Sequence, residues 1–291
     1  MKTIARLLVI LVLFGALAAC ASVGLGDLVA LGQAGQQVST AEQTEFTPEQ
    51  EYYIGRAVAA NLLSTRKVWN DPKATTYLNV LERALTLYSD RPDTFGGYHL
   101  LILDTDEINA FAAPGGLILV SRGLLRCATT EDMAAAILAH ETSHVVLKHG
   151  LNAIAASRKT AAYKNLALTA VSVFGSPEAR QLTDIFKDSI SDITNTLVNS
   201  GYARDLELQA DQMALVIMRR AGYDPRAFDE MLKLMATRIT TGGPGFAKTH
   251  PDPKDRAAAV EKTLDGQPTV TTAAAAANAR QSRYQAALGN I

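Results

Sequence analysis

Residues Ile137 to Gly150 read ILAHETSHVVLKHG, with His140 and His144 four positions apart and Glu141 directly after the first. On an α-helix, positions four apart lie one turn above each other on one face. Two imidazole nitrogens can then converge on a single metal ion. Glu141 sits about 100° round the helix from His140, beside such an ion, where a base for a water molecule belongs. The pattern therefore describes metal-assisted hydrolysis. Five residues also fit a core helix with two hydrogen-bonded histidines, so a further ligand has to decide.

A catalytic zinc takes three protein ligands and keeps one position open. The stretch ARDLELQADQMAL places Glu207 and Asp211 one turn apart on a second helix. Glu207 can give a carboxylate oxygen to the metal. Asp211 can accept a hydrogen bond from the far nitrogen of a ligand histidine, which fixes the tautomer. A solvated acidic face is the alternative for this pair. It fits poorly, because Leu206, Leu208, Ala210, Met213, Ala214 and Leu215 make the helix apolar around much of its circumference.

His140-Glu141-x-x-His144 followed by Glu207-x-x-Ala210-Asp211 resembles metallopeptidase family forty-eight, a gluzincin family, in its lipid-anchored periplasmic branch. Three further stretches are similar to that family in the same order: NAFAAPGGLILVSRGLL, HVVLKHG and THPDPKDR. The resemblance covers residues from about 46 to 262. It implies a zincin-like fold that holds one Zn2+ per chain on His140, His144 and Glu207. It implies that Glu141 activates the water and then protonates the leaving amine. Asn109, Ala110, Phe111, Ala112 and Ala113 would form an edge strand on which an extended substrate lies. His250 would sit near the metal, as a plug, a ligand or an oxyanion stabiliser, and Arg256 would be a second active-site group. The implied substrates are unfolded or extended polypeptides, and the implied task is clearance of misfolded envelope proteins. His149 reads as structural, since five residues beyond His144 it leaves the metal-facing stripe.

The elements that must position these residues read as α+β, mainly α, with a small β-sheet. Thr47-Pro48-Glu49-Gln50 is a helix start, followed by a helix to about Leu63. Asp71-Pro72 opens a second helix, to about Tyr88. Two apolar runs, Tyr98–Leu103 and Leu117–Val120, flank a short strand at Asn109–Ala112 and a Pro114-Gly115-Gly116 turn. Thr129-Thr130-Glu131-Asp132 then opens the helix of the His-Glu-x-x-His motif, and Asp252-Pro253 opens a later one. The run Leu166 to Phe174 reads as a core helix, with a lid or membrane-facing loop as the other possibility; it is too short to span a bilayer.

The N-terminus is a separate matter. Lys2 and Arg6 precede a short apolar run, Leu7 to Leu17, and Leu17-Ala18-Ala19-Cys20 closes it. Residues 1–19 read as a signal peptide, and Cys20 resembles the lipidated cysteine of bacterial lipoproteins. Ala21 and Ser22 after it suggest the outer membrane, on the periplasmic side of the envelope. Residues 20–45 read as a flexible tether, 46–262 as the metallopeptidase domain, and 263–291 as an Ala-rich tail, helical or frayed. No tetratricopeptide docking repeat is expected after the domain. With Cys20 lipidated, Cys127 is the one thiol left, so no intrachain disulfide forms and Cys127 is a core residue. Setting Lys2 and Arg6 aside changes 28 basic against 29 acidic residues to 26 against 29, a net charge of −3, with no sign of a nucleic-acid partner. The rival reading is a zinc-stabilised, chaperone-like or binding lipoprotein whose site is plugged by His250.

Overall fold

The computed structural model describes residues 29–30, 32–36, 46–153, 201–239 and 250–291. The expected signal peptide, the candidate lipidation site Cys20 and the run Leu166 to Phe174 lie outside the described residues. The chain divides into two compact units, and the one formed by residues 46–153 and 193–291 carries all the candidate chemistry. In the other unit, residues 29–30 and 32–36 are helical inside the stretch read as a tether. Ala, Leu and Gln there favour helix locally even though Gly interrupts them.

Helix α1 spans Pro48–Ser64, with Pro48 in its first turn beside Glu49 and Glu51. Helix α2 spans Pro72–Thr86 and is capped by Asp71, whose side chain accepts from the Ala74 amide. Leu78, Leu81 and Leu85 make its buried stripe. Three strands follow: β1 (His99–Leu103), β2 (Ala110–Ala113) and β3 (Leu117–Ser121). The order is β1-β3-β2, with β1 parallel and β2 antiparallel to β3, so β2 is an edge strand. Asn109 stands just before β2, where its amide donates to the Ser121 hydroxyl.

The Pro114-Gly115-Gly116 turn joins β2 to β3 and packs against α1. Gly115 has φ +78, and a Cβ there would come within 2.9 Å of the Tyr52 backbone. From the other side, a Cβ on Gly55 would strike the Pro114 carbonyl. Two glycines thus let a helix and a turn touch through their backbones. Glu51 locks the contact: it accepts from the Gly115 amide at 3.0 Å and pairs with Arg91 at 2.7 Å through both oxygens.

A short helix α3, Arg122–Leu125, leads to α4, Glu131–Val146, capped by the Thr130 hydroxyl. Apart from Asp132, every residue of α4 from Glu131 to Val145 is buried. Such a helix is central, not amphipathic. It is enclosed by α2, by α5 (Arg204–Arg220) and by α6 (Arg226–Arg238), with β2 beside it. Helix α7, Pro253–Leu264, starts at the Asp252 cap. The Ala-rich tail is helical as α8, Ala274–Leu288, and docks on the core through Tyr284 and Leu288. Tyr284 donates to the Ala128 carbonyl at 2.7 Å, and Arg283 pairs with both oxygens of the buried Glu131. Cys127 is a free, fully buried core residue. Among the described residues no helix is long and apolar enough to cross a membrane.

Candidate metal centre

Helix α4 presents His140 and His144 from its buried middle, with their Nε2 atoms 3.1 Å apart. Helix α5 packs against α4 and brings in Glu207, which is wholly buried. Its Oε2 lies 3.6 Å from His140 Nε2, and its Oε1 lies 3.4 Å from His144 Nε2. His250, at the entry to α7, completes the group with Nδ1 at 2.8 Å from Glu207 Oε2. One ligating atom from each of the four residues lies within 4.8 Å of the others.

The donor set fits zinc. Tetrahedral bonds of about 2.0–2.2 Å require ligand atoms about 3.3–3.5 Å apart, close to the separations of the histidine nitrogens and the Glu207 oxygens. Glu207 Oε1 is buried with no hydrogen-bond partner, an acceptor left for a cation. Burial pushes His144 well below the usual imidazole range, which keeps it neutral and able to donate a lone pair. Burial and Arg256 oppose a charge on His140, yet Asp211 and Glu207 carry it up to about 9. These carboxylates demand a positive charge between them, and a metal cation supplies one. Burial works against an ionised Glu207, but His250, His140 and His144 hold it well below the usual carboxylate range.

Behind the ligands stands an ordered shell. Asp211 Oδ1 lies 2.9 Å from His140 Nδ1. Arg256 donates to both Asp211 oxygens, Nε at 3.0 Å and Nη2 at 2.6 Å, and is itself only 2% exposed. Arg256 lies against His140, with its guanidinium over the Phe228 ring and Nη1 3.8 Å from Glu207 Oε2, and is not among the residues that line the cleft beside β2.

Glu141 lines a cleft of about 490 Å³ counting its open mouth, and with His140 and Arg256 it also borders a smaller cavity beside Phe228. The lining of the cleft comprises Ala110, Phe111, Ala112, Ala113 and Pro114, Val58 and Leu62 of α1, and Gly201, Tyr202 and His250. Burial pushes the Glu141 carboxyl up, against the pull of His140 and His250. A carboxylate with a raised pKa beside a metal position is suited to take a proton from water and give it back. The structure thus gathers His140, His144, Glu207 and His250, aims Glu141 and most of the edge strand at one cleft, and sets Asp211 and Arg256 behind. Asn109 falls outside the lining.

Two neighbours of His144 stand where the sequence did not place them: Tyr202, which its pattern did not single out, and His149, which read as structural and off the metal-facing stripe. Tyr202 stacks on its ring at 4.3 Å and 16°. His149 Nδ1 lies 2.9 Å from His144 Nδ1. His149 is not among the four clustered ligands, but it touches one of them. The only signal was a third histidine close after the motif.

Residues 73–264 match the family model described as Peptidase family M48. The chain belongs to peptidase family M48. It is an M48 zinc metallopeptidase with His140, His144, Glu207 and His250 as its candidate metal-binding group. The chain is 29% identical over 216 residues to the beta-barrel assembly-enhancing protease of Escherichia coli strain K12, covering 72% of this chain and 42% of that one. It is 32% identical over 173 residues to the mitochondrial metalloendopeptidase OMA1 of Schizosaccharomyces pombe, covering 57% of this chain and 47% of that one. The chain therefore spans less than half the length of the curated relatives it matches.

Proposed function

We propose that this M48 peptidase is a zinc-dependent endopeptidase, with one zinc per chain, that cleaves unfolded or extended polypeptides of the cell envelope. The observation that carries the reading is that edge strand β2 borders the same cleft as Glu141 and His250 of the metal group. An edge strand offers unpaired backbone groups, so an extended chain can add to it without regard to sequence. Val58, Leu62 and Phe111 give that cleft apolar walls, which suit the side chains an unfolded protein exposes.

Zinc held by His140, His144 and Glu207 supplies Lewis acidity towards water and the scissile carbonyl. Glu141 takes the proton of the attacking water and passes it to the departing amine. Asp211 holds His140 in place for this, and Arg256 holds Asp211. The envelope setting rests on the signal-like N-terminus and a lipid anchor at Cys20, which would keep the domain at the periplasmic face of the outer membrane.

His250 supports a second reading. Bonded to Glu207 and within the metal group, it can occupy the open metal position and leave a zinc-stabilised binding or chaperone-like lipoprotein. Digestion of an unfolded protein such as casein tests both. Glu141→Gln should lower turnover by about 10²–10⁴-fold with zinc retained, the scale of a lost general base; undiminished turnover would refute the mechanism. His250→Ala should raise or alter turnover if a competent enzyme is plugged, whereas a binding protein stays mute.

A further inference from the structure

We infer that His149 is a positioning residue for the zinc ligand His144, accepting its Nδ1 proton and so fixing the tautomer that presents Nε2 to the metal. The inference rests on the zinc site proposed above. Two ring nitrogens 2.9 Å apart share one proton, with one ring donating and the other accepting. A neutral imidazole whose Nε2 lone pair faces a metal carries its proton on Nδ1. His144 must then be the donor and His149 the acceptor, with its own proton on Nε2. His149 is 1% exposed, so bulk water cannot take over the role.

The backbone is bent to make this contact. A helix continued from His144 would carry a residue five positions on about 140° away from it. Instead α4 ends at Val146, and Lys148 adopts φ +56 before helix resumes at residue 149. Lys148 is the one non-glycine residue with a left-handed backbone among the described residues. Such a conformation is disfavoured for a lysine, and it persists here where it returns His149 to the ligand face. Tyr202 stacks on the His144 ring and holds its plane.

The two histidine ligands are thus supported differently. His140 has a carboxylate, Asp211, which Arg256 neutralises. His144 has a neutral imidazole. A third carboxylate near the buried Glu141 and Glu207 would add like charge to the site and need its own counter-charge.

The test uses the full chain with His149→Leu and His149→Asn, reading zinc affinity by chelator competition and the visible absorption of the cobalt-substituted protein. His149→Leu should loosen zinc about 10–100-fold and shift the cobalt bands, the scale of a lost ligand-orienting partner. His149→Asn, whose side-chain oxygen can stand where Nδ1 was, should recover most of the affinity and the wild-type spectrum. Should the leucine variant fail to fold, His149→Met replaces it, filling the ring's volume with an adaptable apolar chain. An apolar variant with wild-type affinity and spectrum would overturn the inference, as would a loss that His149→Asn does not repair. A wild-type protein that takes up no zinc in the same assay would instead overturn the zinc site itself.

Discussion

Asp211 lies one helical turn beyond Glu207, and its Oδ1 stands 2.9 Å from His140 Nδ1. One face of α5 therefore offers a carboxylate to the metal position and grips the far side of a ligand ring from the opposite helix. The carboxyl of Asp211 is held below its usual range: burial opposes ionisation, but Arg256 and His140 outweigh it. The acceptor stays anionic and aligned when a metal draws electron density from the ring.

Replacing Asp211 by Asn keeps the shape and removes the charge. Zinc affinity should fall about 10–100-fold while the fold persists. Chelator competition on the purified variant measures this; unchanged affinity would mean that Asp211 serves Arg256 alone.

Glu82 sits behind the active-site helix, accepting from the Thr142 hydroxyl at 2.6 Å, and is 1% exposed. Burial pushes its carboxyl up to about 8, with the Thr142 bond opposing and Glu141 adding. Because the folded value is raised, the folded state keeps the proton after the unfolded chain has lost it. The contribution of Glu82 is fully present below about pH 4.5 and is lost as pH rises through about 8. Denaturant unfolding across that window should show stability falling by up to about 1.4 kcal/mol per pH unit from this group. Glu82→Gln keeps the acceptor for Thr142 and should flatten that part of the slope. An identical pH profile in the variant would show that Glu82 does not titrate there.

Arg283 anchors α8 to Glu131 at the N-terminal end of α4, where Tyr77 and Tyr223 also donate to the same carboxylate. Glu131 is 1% exposed, but the arginine side chain is 53% exposed, so solvent screens its share. Arg283→Ala should cost about 1–3 kcal/mol of stability, since the two tyrosines remain as partners. Thermal unfolding reads the loss, and zinc content per folded molecule should not change. A loss of zinc with no loss of stability would contradict this purely structural role.

Three members of the candidate metal-binding group, His140, His144 and Glu207, were legible in the sequence because helical spacing converts directly into a shared face. His140 with His144, and Glu207 with Asp211, needed only the assumption that both stretches are helices. The edge strand was legible to within one residue: β2 starts at Ala110, since Asn109 uses its amide on the Ser121 hydroxyl. His149 read as structural, but its contact with His144 was not legible, because it depends on a left-handed Lys148 that no residue type announces. Tyr202 was hidden for a similar reason: it lies just before α5, and its stacking depends on how two distant segments meet. Arg256 was identified, but its depth behind His140 became visible only with the packing of α7 against α5 and α6. The tail could be read as helical or frayed, since only Tyr284 and Leu288 of α8 are buried, too few apolar positions in an Ala-rich run to mark a stripe.

The most direct test of the central claim is the zinc content of the purified protein by elemental analysis, beside a Glu207→Ala variant. About one zinc per wild-type chain, bound at least tenfold more weakly by the variant, is the expected result for a three-ligand site with Glu207 in it. A folded wild-type protein that holds no zinc after metal loading, or a variant that binds it as tightly, would contradict the account.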